Sequence, residues 1–152
     1  MVCDIDHFKR INDNYGHAVG DKVIAALAQD LQRAFGGSGH VARVGGEEFI
    51  VFVPSVKLRD ASTLANAVRI SIGERNWAET GVIGGITVSI GLSEVIPEDH
   101  ALEHAFLRAD SALYKAKTGG RNAVAVLDAR TTAIQPQNDA QPQQMQPGRL
   151  TA

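Results

Sequence analysis

Between two short runs, residues 40–44 and 49–53, the chain carries the turn Gly45-Gly46-Glu47-Glu48-Phe49. No other stretch restricts the fold as much. Two runs of strand length around a glycine pair read as an antiparallel hairpin. The glycines remove side chains, so backbone or ligand can approach closely. The two adjacent carboxylates place negative charge at the bend. A second acidic element, Asp4-Ile5-Asp6, ends another short apolar run. If the two elements meet in space, they form a hard-oxygen site suited to Mg²⁺ and a polyphosphate.

The chain's 152 residues suffice for one domain with one sizeable core. A net charge of −2 offers no footprint for duplex DNA or an anionic membrane, while a small phosphorylated ligand needs only local positive charge. The single cysteine, Cys3, excludes an internal disulfide and predicts a reducing, cytoplasmic setting. No apolar run approaches the roughly 18 residues of a membrane span. Asp4 and Asp6 stand where the apolar stretch of a signal peptide would be.

Hydrophobic spacing predicts a strand over residues 1–5 and a short helix over 7–15, capped by Asp6 and stopped by Gly16. A longer helix is expected over 20–35, with Val23, Ile24, Leu27, Leu31 and Ala34 on one face. Residues 49–53 are apolar throughout, which predicts burial on both faces. A third helix is expected over 59–75, with Ala61, Leu64, Ala65, Val68 and Ile72 inward. Residues 86–93 alternate, with Ile86, Val88, Ile90 and Leu92 on one face and Thr87, Ser89, Gly91 and Ser93 on the other. A fourth helix is expected over 101–117, with Leu102, Ala105, Phe106, Ala109, Leu113 and Ala116 inward, and a last strand over 123–127. Residues 131–152 hold six Gln and three Pro. They predict a disordered tail beginning near 129, after a folded domain over 1–128. The whole pattern predicts an α+β sandwich with helices packed on one sheet.

Other residues carry weaker signals. Cys3 is expected in the core and Trp77 as a loop anchor. His17 is expected to hold the turn after Gly16. His100 and His104 fall four apart on a helix without a third ligand nearby, which predicts exposed surface. Lys115 belongs to a different helix face from Lys117 and is expected in solvent. Asp6 to Lys9 opens a helix, whose free N–H groups can face a phosphate.

An ordered set of motifs resembles the GGDEF family of diguanylate cyclases, in its Gly-Gly-Glu-Glu-Phe form. The matching stretches are Asp4-Ile-Asp-His-Phe-Lys9, Ile11-Asn12-Asp13, Tyr15-Gly16-His17, Gly20-Asp21, Arg43 to Phe49, Thr87 to Gly91, Ala109-Asp110, Ala112 to Lys117 and Gly120-Arg-Asn122. They span about residues 2 to 127. The resemblance implies a ferredoxin-like fold related to nucleotide-cyclase palms, with a central, mostly antiparallel sheet flanked by helices. It implies condensation of two GTP into cyclic di-GMP with release of pyrophosphate, in a homodimer.

By the same resemblance, Asp4 and Glu47 are carboxylate ligands of Mg²⁺, or of Mn²⁺, and the Ile5 carbonyl completes the protein's share. Glu48 either assists deprotonation of the attacking hydroxyl or acts from behind the metal through water. Phe8, Lys9, Lys117 and Arg121 are implied in binding the substrate's phosphates. Asp21, with Asn12, is implied in reading guanine, whose N1–H and exocyclic amine suit one carboxylate.

Two departures from the family stand out. The family domain ordinarily begins earlier, with a helix and a Leu-Thr-Gly-Leu segment, so an N-terminally truncated domain is expected. Truncation keeps a second reading open, a catalytically impaired module that binds GTP or regulates. Many members also carry Arg-x-x-Asp before the signature, where this chain has Gly36-Gly37-Ser38-Gly39. No product inhibition through that position is expected.

Overall fold

A computed structural model describes residues 1–132. The tail expected from 129 instead starts with a short helix at Ala129–Thr132, and its remainder from residue 133 lies outside the described residues. The elements follow in the order β1 (Val2–Ile5), α1 (Phe8–Tyr15), α2 (His17–Phe35), β2 (His40–Gly45), β3 (Glu48–Phe52) and α3 (Leu58–Glu74). A short 3-10 turn at Ala78–Thr80 leads to β4 (Val88–Leu92), α4 (Leu102–Thr118), β5 (Val124–Val126) and α5 (Ala129–Thr132).

The strands form one sheet in the order β2-β3-β1-β4-β5. The first four are antiparallel to their neighbours, and β5 runs parallel to β4. This is the split βαβ arrangement of ferredoxin-like folds with one strand added, as expected. β1 therefore lies in the middle, with Val2 opposite Ile50 on one side and Gly91 on the other.

The larger core joins the strand side chains Cys3, Ile5, Phe49, Val51, Val88, Ile90 and Leu92 to the apolar stripes of α1, α2 and α3. Trp77 anchors the segment after α3 as expected: it is buried and its Nε1–H donates to the Ile72 carbonyl at 3.1 Å. A smaller cluster of Val2, Ala109 and Leu113, with Ile50 against it, joins α4 to the alternate strand positions.

α4 corrects one expectation. Leu102 and Phe106 do not face inward: they are 63% and 36% exposed. The stripe that meets the sheet is instead mostly alanine, namely Ala105, Ala109, Ala112 and Ala116, with Leu113 as its one large residue. The reason is Gly91. A Cβ there would stand 2.1 Å from the Ala109 carbonyl oxygen and 2.2 Å from the Leu113 nitrogen. The helix backbone lies directly on the strand, and larger side chains splay to the flanks. Leu102 and Phe106 line a mostly apolar cleft of about 560 Å³ with Phe52 and Val56.

The burial of residues 49–53 is likewise one-sided. Phe49 and Val51 are buried, Ile50 is half-buried and Phe52 is 40% exposed. Leu64 also points outward, because α3 meets the core through Ala65, Val68 and Ile72. α2 begins at His17 rather than residue 20. Gly16, at φ 83 and ψ 160, breaks the chain between the two helices, and its carbonyl accepts from Val19 and Gly20. His17 thus opens α2, exposed to solvent, instead of holding the turn.

Candidate active site

Asp4 is placed by the middle strand. It sits opposite Glu48 on β3 and Ser89 on β4, and is only 4% exposed. The β2–β3 hairpin folds toward it. A register shift between Arg43 and Gly45 kinks the hairpin, and Arg43 Nε donates to the Gly46 carbonyl at 2.9 Å. This brace leaves Glu47 and Glu48 half-buried.

The register that sets Asp4 opposite Glu48 brings the two acidic elements together. Burial pushes its carboxyl above the usual aspartate range, and the charges of Glu47 and Glu48 push the same way. Lys117, reaching down from α4, opposes them with Nζ 2.8 Å from Asp4 Oδ2. The balance still leaves the carboxyl raised. Ile5, buried beside Asp4, ends the strand opposite Val88. Among the described residues no three His, Cys, Asp or Glu side chains converge as a metal cluster. The donors here are fewer: Asp4, one glutamate of the hairpin and the end of a strand. Such a hard-oxygen set fits Mg²⁺, which keeps several waters and needs few protein ligands.

Asp6 corrects a further expectation. It does not cap α1. His7 occupies the cap position at φ 56, and no side chain caps the helix. Asp6 is instead buried, and its carboxylate accepts from Thr87 Oγ1, Ser89 Oγ and the Asn122 N–H. The first turn of α1 therefore keeps N–H groups that no side chain satisfies. Lys9 stands exposed on that turn. Phe8 does not: its side chain is buried against Gly20, so only its backbone can reach a ligand.

The chain after α4 brings Arg121 to the same region. Gly119 and Arg121 donate their N–H groups to Lys115 and Ala116, and Asn122 ties the loop to Asp6. Arg121 is exposed. Lys115 is also exposed, as expected.

Asn12 and Asp21 come from α1 and α2 where the helices touch. A Cβ on Gly20 would lie 2.0 Å from Asn12 Oδ1 and 3.0 Å from the Phe8 ring, so only glycine allows this approach. Asn12 Oδ1 is buried without a hydrogen-bond partner. Asp21, next to the contact, is exposed and borders an open groove with Arg43, Phe49 and Gln29.

Thr87, Ser89, Asn122 and Arg69 support the site although their chemistry alone did not single them out. The polar side of the alternating strand 86–93 was the available signal for the first two. His100 and His104 lie edge to face with ring centroids 6.2 Å apart, on the exposed surface as expected.

A sequence model described as "Diguanylate cyclase, GGDEF domain" matches residues 1–123. Diguanylate cyclase VdcA of Vibrio cholerae is 43% identical over 127 residues, covering 82% of this chain and 37% of that protein. Probable diguanylate cyclase DgcF of Escherichia coli K12 is 41% identical over 128 residues, covering 80% of this chain and 40% of that protein. Among solved structures, the active GGEEF domain of a diguanylate cyclase from Vibrio cholerae superposes with a TM-score of 0.76 at 37% identity, covering 82% of this chain and 79% of that one. The GGDEF domain of DgcB from Caulobacter crescentus, solved with c-di-GMP, gives a TM-score of 0.76 at 38% identity, covering 82% and 74%. The chain belongs to the GGDEF domain family of diguanylate cyclases. It spans less than half the length of these curated relatives. Among the described residues no helix is long and apolar enough to cross a membrane.

Proposed function

We propose that this domain condenses two GTP into cyclic di-GMP and pyrophosphate, in the cytoplasm, as a homodimer in which each protomer contributes one GTP. The observation that carries the reading is the burial of Asp4 beside Glu47 and Glu48, under the ammonium of Lys117.

Asp4 and Glu47, with the Ile5 carbonyl, would hold Mg²⁺ or Mn²⁺, which when bound would neutralise phosphate charge and lower the pKa of the attacking 3′-hydroxyl. Glu48 is close enough to Asp4 to influence its charge. It receives or relays the hydroxyl proton. The uncapped start of α1 and Lys9 face the phosphates with partial and full positive charge. Lys117 exchanges its contact with Asp4 for a phosphate oxygen, and Arg121 supplies a second cation. Asp21 accepts from the guanine N1–H and exocyclic amine. Asn12, whose Oδ1 lies closed against Gly20, contacts the base through the N–H₂ side of its amide.

One domain carries one such half-site, so two must face each other for both bonds to form. The glycine loop at 36–39 offers no guanidinium or carboxylate to grip a cyclic dinucleotide. Feedback through it is absent in this reading.

A second reading is a GTP-binding module without turnover. The Lys117–Asp4 pair favours it, because the ammonium competes for the same carboxylate that the cation needs. One experiment separates the two. The chain is incubated with GTP and Mg²⁺, and the product is resolved by chromatography across a protein dilution series. Cyclic di-GMP formed more than proportionally to protein concentration supports the cyclase. A GTP-dependent rise in melting temperature with no product supports the module.

A further inference from the structure

Asp6 serves neither the metal-facing acids nor a helix cap, yet it is one of the few buried charged side chains. Three donors converge on its two oxygens. Thr87 Oγ1 lies 2.7 Å from Oδ2, Ser89 Oγ 2.6 Å from Oδ1, and the Asn122 N–H 2.9 Å from Oδ2. The two hydroxyls come from the strand polar face. The amide comes from the loop after α4.

That loop is strained. Gly120, Arg121 and Asn122 follow one another at φ 120, 65 and 43. Left-handed backbone at two side-chain-bearing residues persists only where the surroundings over-determine it. Two clamps do so. Asp6 holds Asn122 from inside. Arg69, from the middle of α3, holds it from outside, with Nη1 2.6 Å from Asn122 Oδ1 and 3.2 Å from its carbonyl oxygen. Arg121 immediately precedes the clamped residue, and its guanidinium makes no hydrogen bond or ion pair with the described residues.

We infer that Asp6 and Arg69 are positioning residues. Together they fix the 119–122 loop in the one conformation that presents the Arg121 guanidinium, unpaired, to the nucleotide phosphates. The inference rests on the phosphate role given to Arg121 above. A carboxylate suits the inner position because it accepts from all three donors at once. An alanine there removes all three acceptors and leaves the Asn122 N–H without its inner partner.

The test is a binding cycle on the full chain. It uses 3′-deoxy-GTP, which lacks the attacking hydroxyl, and 3′-deoxyguanosine, which lacks phosphates, each titrated by NMR. Arg121→Ala, Asp6→Ala and Arg69→Ala are each expected to weaken 3′-deoxy-GTP about tenfold and to leave the nucleoside unchanged. Combining Asp6→Ala or Arg69→Ala with Arg121→Ala is expected to cost no more than Arg121→Ala alone. Additive losses, or equal weakening of the nucleoside, overturn the positioning role while leaving the function of Arg121 standing. An Arg121→Ala chain that binds 3′-deoxy-GTP normally overturns the phosphate reading, and this inference with it. If Asp6→Ala does not fold, the Arg69→Ala cycle decides by the same criteria, since that residue is partly exposed on a helix surface.

Discussion

Lys117 Nζ stands 2.8 Å from Asp4 Oδ2, joining the last turn of α4 to the middle strand of the sheet. The pair crosses the layer that Gly91 keeps thin. It also sets the charge of the site, because the ammonium offsets a carboxylate crowded by Glu47 and Glu48.

The stability cost of that crowding is measurable. Burial first, and the two glutamates after it, raise the Asp4 pKa against the pull of Lys117. The folded chain therefore takes up a proton on Asp4 more readily than the unfolded chain does. Ionised Asp4 costs stability at neutral pH, and the cost fades as pH falls through the carboxylate range. Asp4→Asn is expected to raise the melting temperature at pH 7, with the gain gone below the ordinary aspartate value of about 4. Calorimetry across pH checks this; a loss of stability at pH 7 contradicts it. Product formation is expected to vanish in the same variant.

Glu47→Gln separates chemistry from folding. The residue is half-buried at the hairpin and takes part in no hydrogen bond that supports the turn, which Arg43 braces through Gly46. Turnover is expected to fall about 100-fold or more. The melting temperature is expected to stay within about 2 °C of the parent. Normal cyclic di-GMP formation by this variant shows that Glu47 holds no metal.

Asp21→Asn probes base selection. An amide offers one acceptor where the carboxylate offers two, so the guanine edge loses one hydrogen bond. The preference for GTP over ATP, read from competitive binding, is expected to drop about tenfold. Unchanged selectivity assigns guanine recognition elsewhere.

Two glycines are expected to respond in opposite directions to alanine. At Gly91 the new methyl meets helix backbone at 2.1 and 2.2 Å, which cannot move aside locally. Gly91→Ala is expected to cost about 3 kcal/mol in urea unfolding. Gly73, inside α3, has open space around its Cα. Gly73→Ala is expected to add about 0.5–1 kcal/mol.

The sheet was largely readable because each of its signals is local. The hairpin followed from Gly45-Gly46, and the β4 faces followed from strict alternation at 86–93. Asp4 and Glu47 followed from their motifs. What escaped depended on partners far along the chain. Asp6 reads as a helix cap from its neighbours, but its donors lie 81, 83 and 116 residues away. Arg69 reads as solvated helix surface, yet it grips a residue 53 positions on. The inward face of α4 was misjudged for a related reason. Periodicity ranks Leu102 and Phe106 with the alanines, but only the bare Cα of Gly91 on another element reveals how closely the helix lies.

The middle position of β1 has a consequence for how the protein is made. Its neighbours are β3 and β4, with Val2 against Ile50 and Gly91. As the polypeptide leaves the ribosome, this apolar strand waits without its second partner until most of the domain has been synthesised. Pairings so distant along the chain form slowly, because loop closure must precede them. Asp4 is then among the last groups to be enclosed, so a nascent chain arrested before β4 has no assembled site.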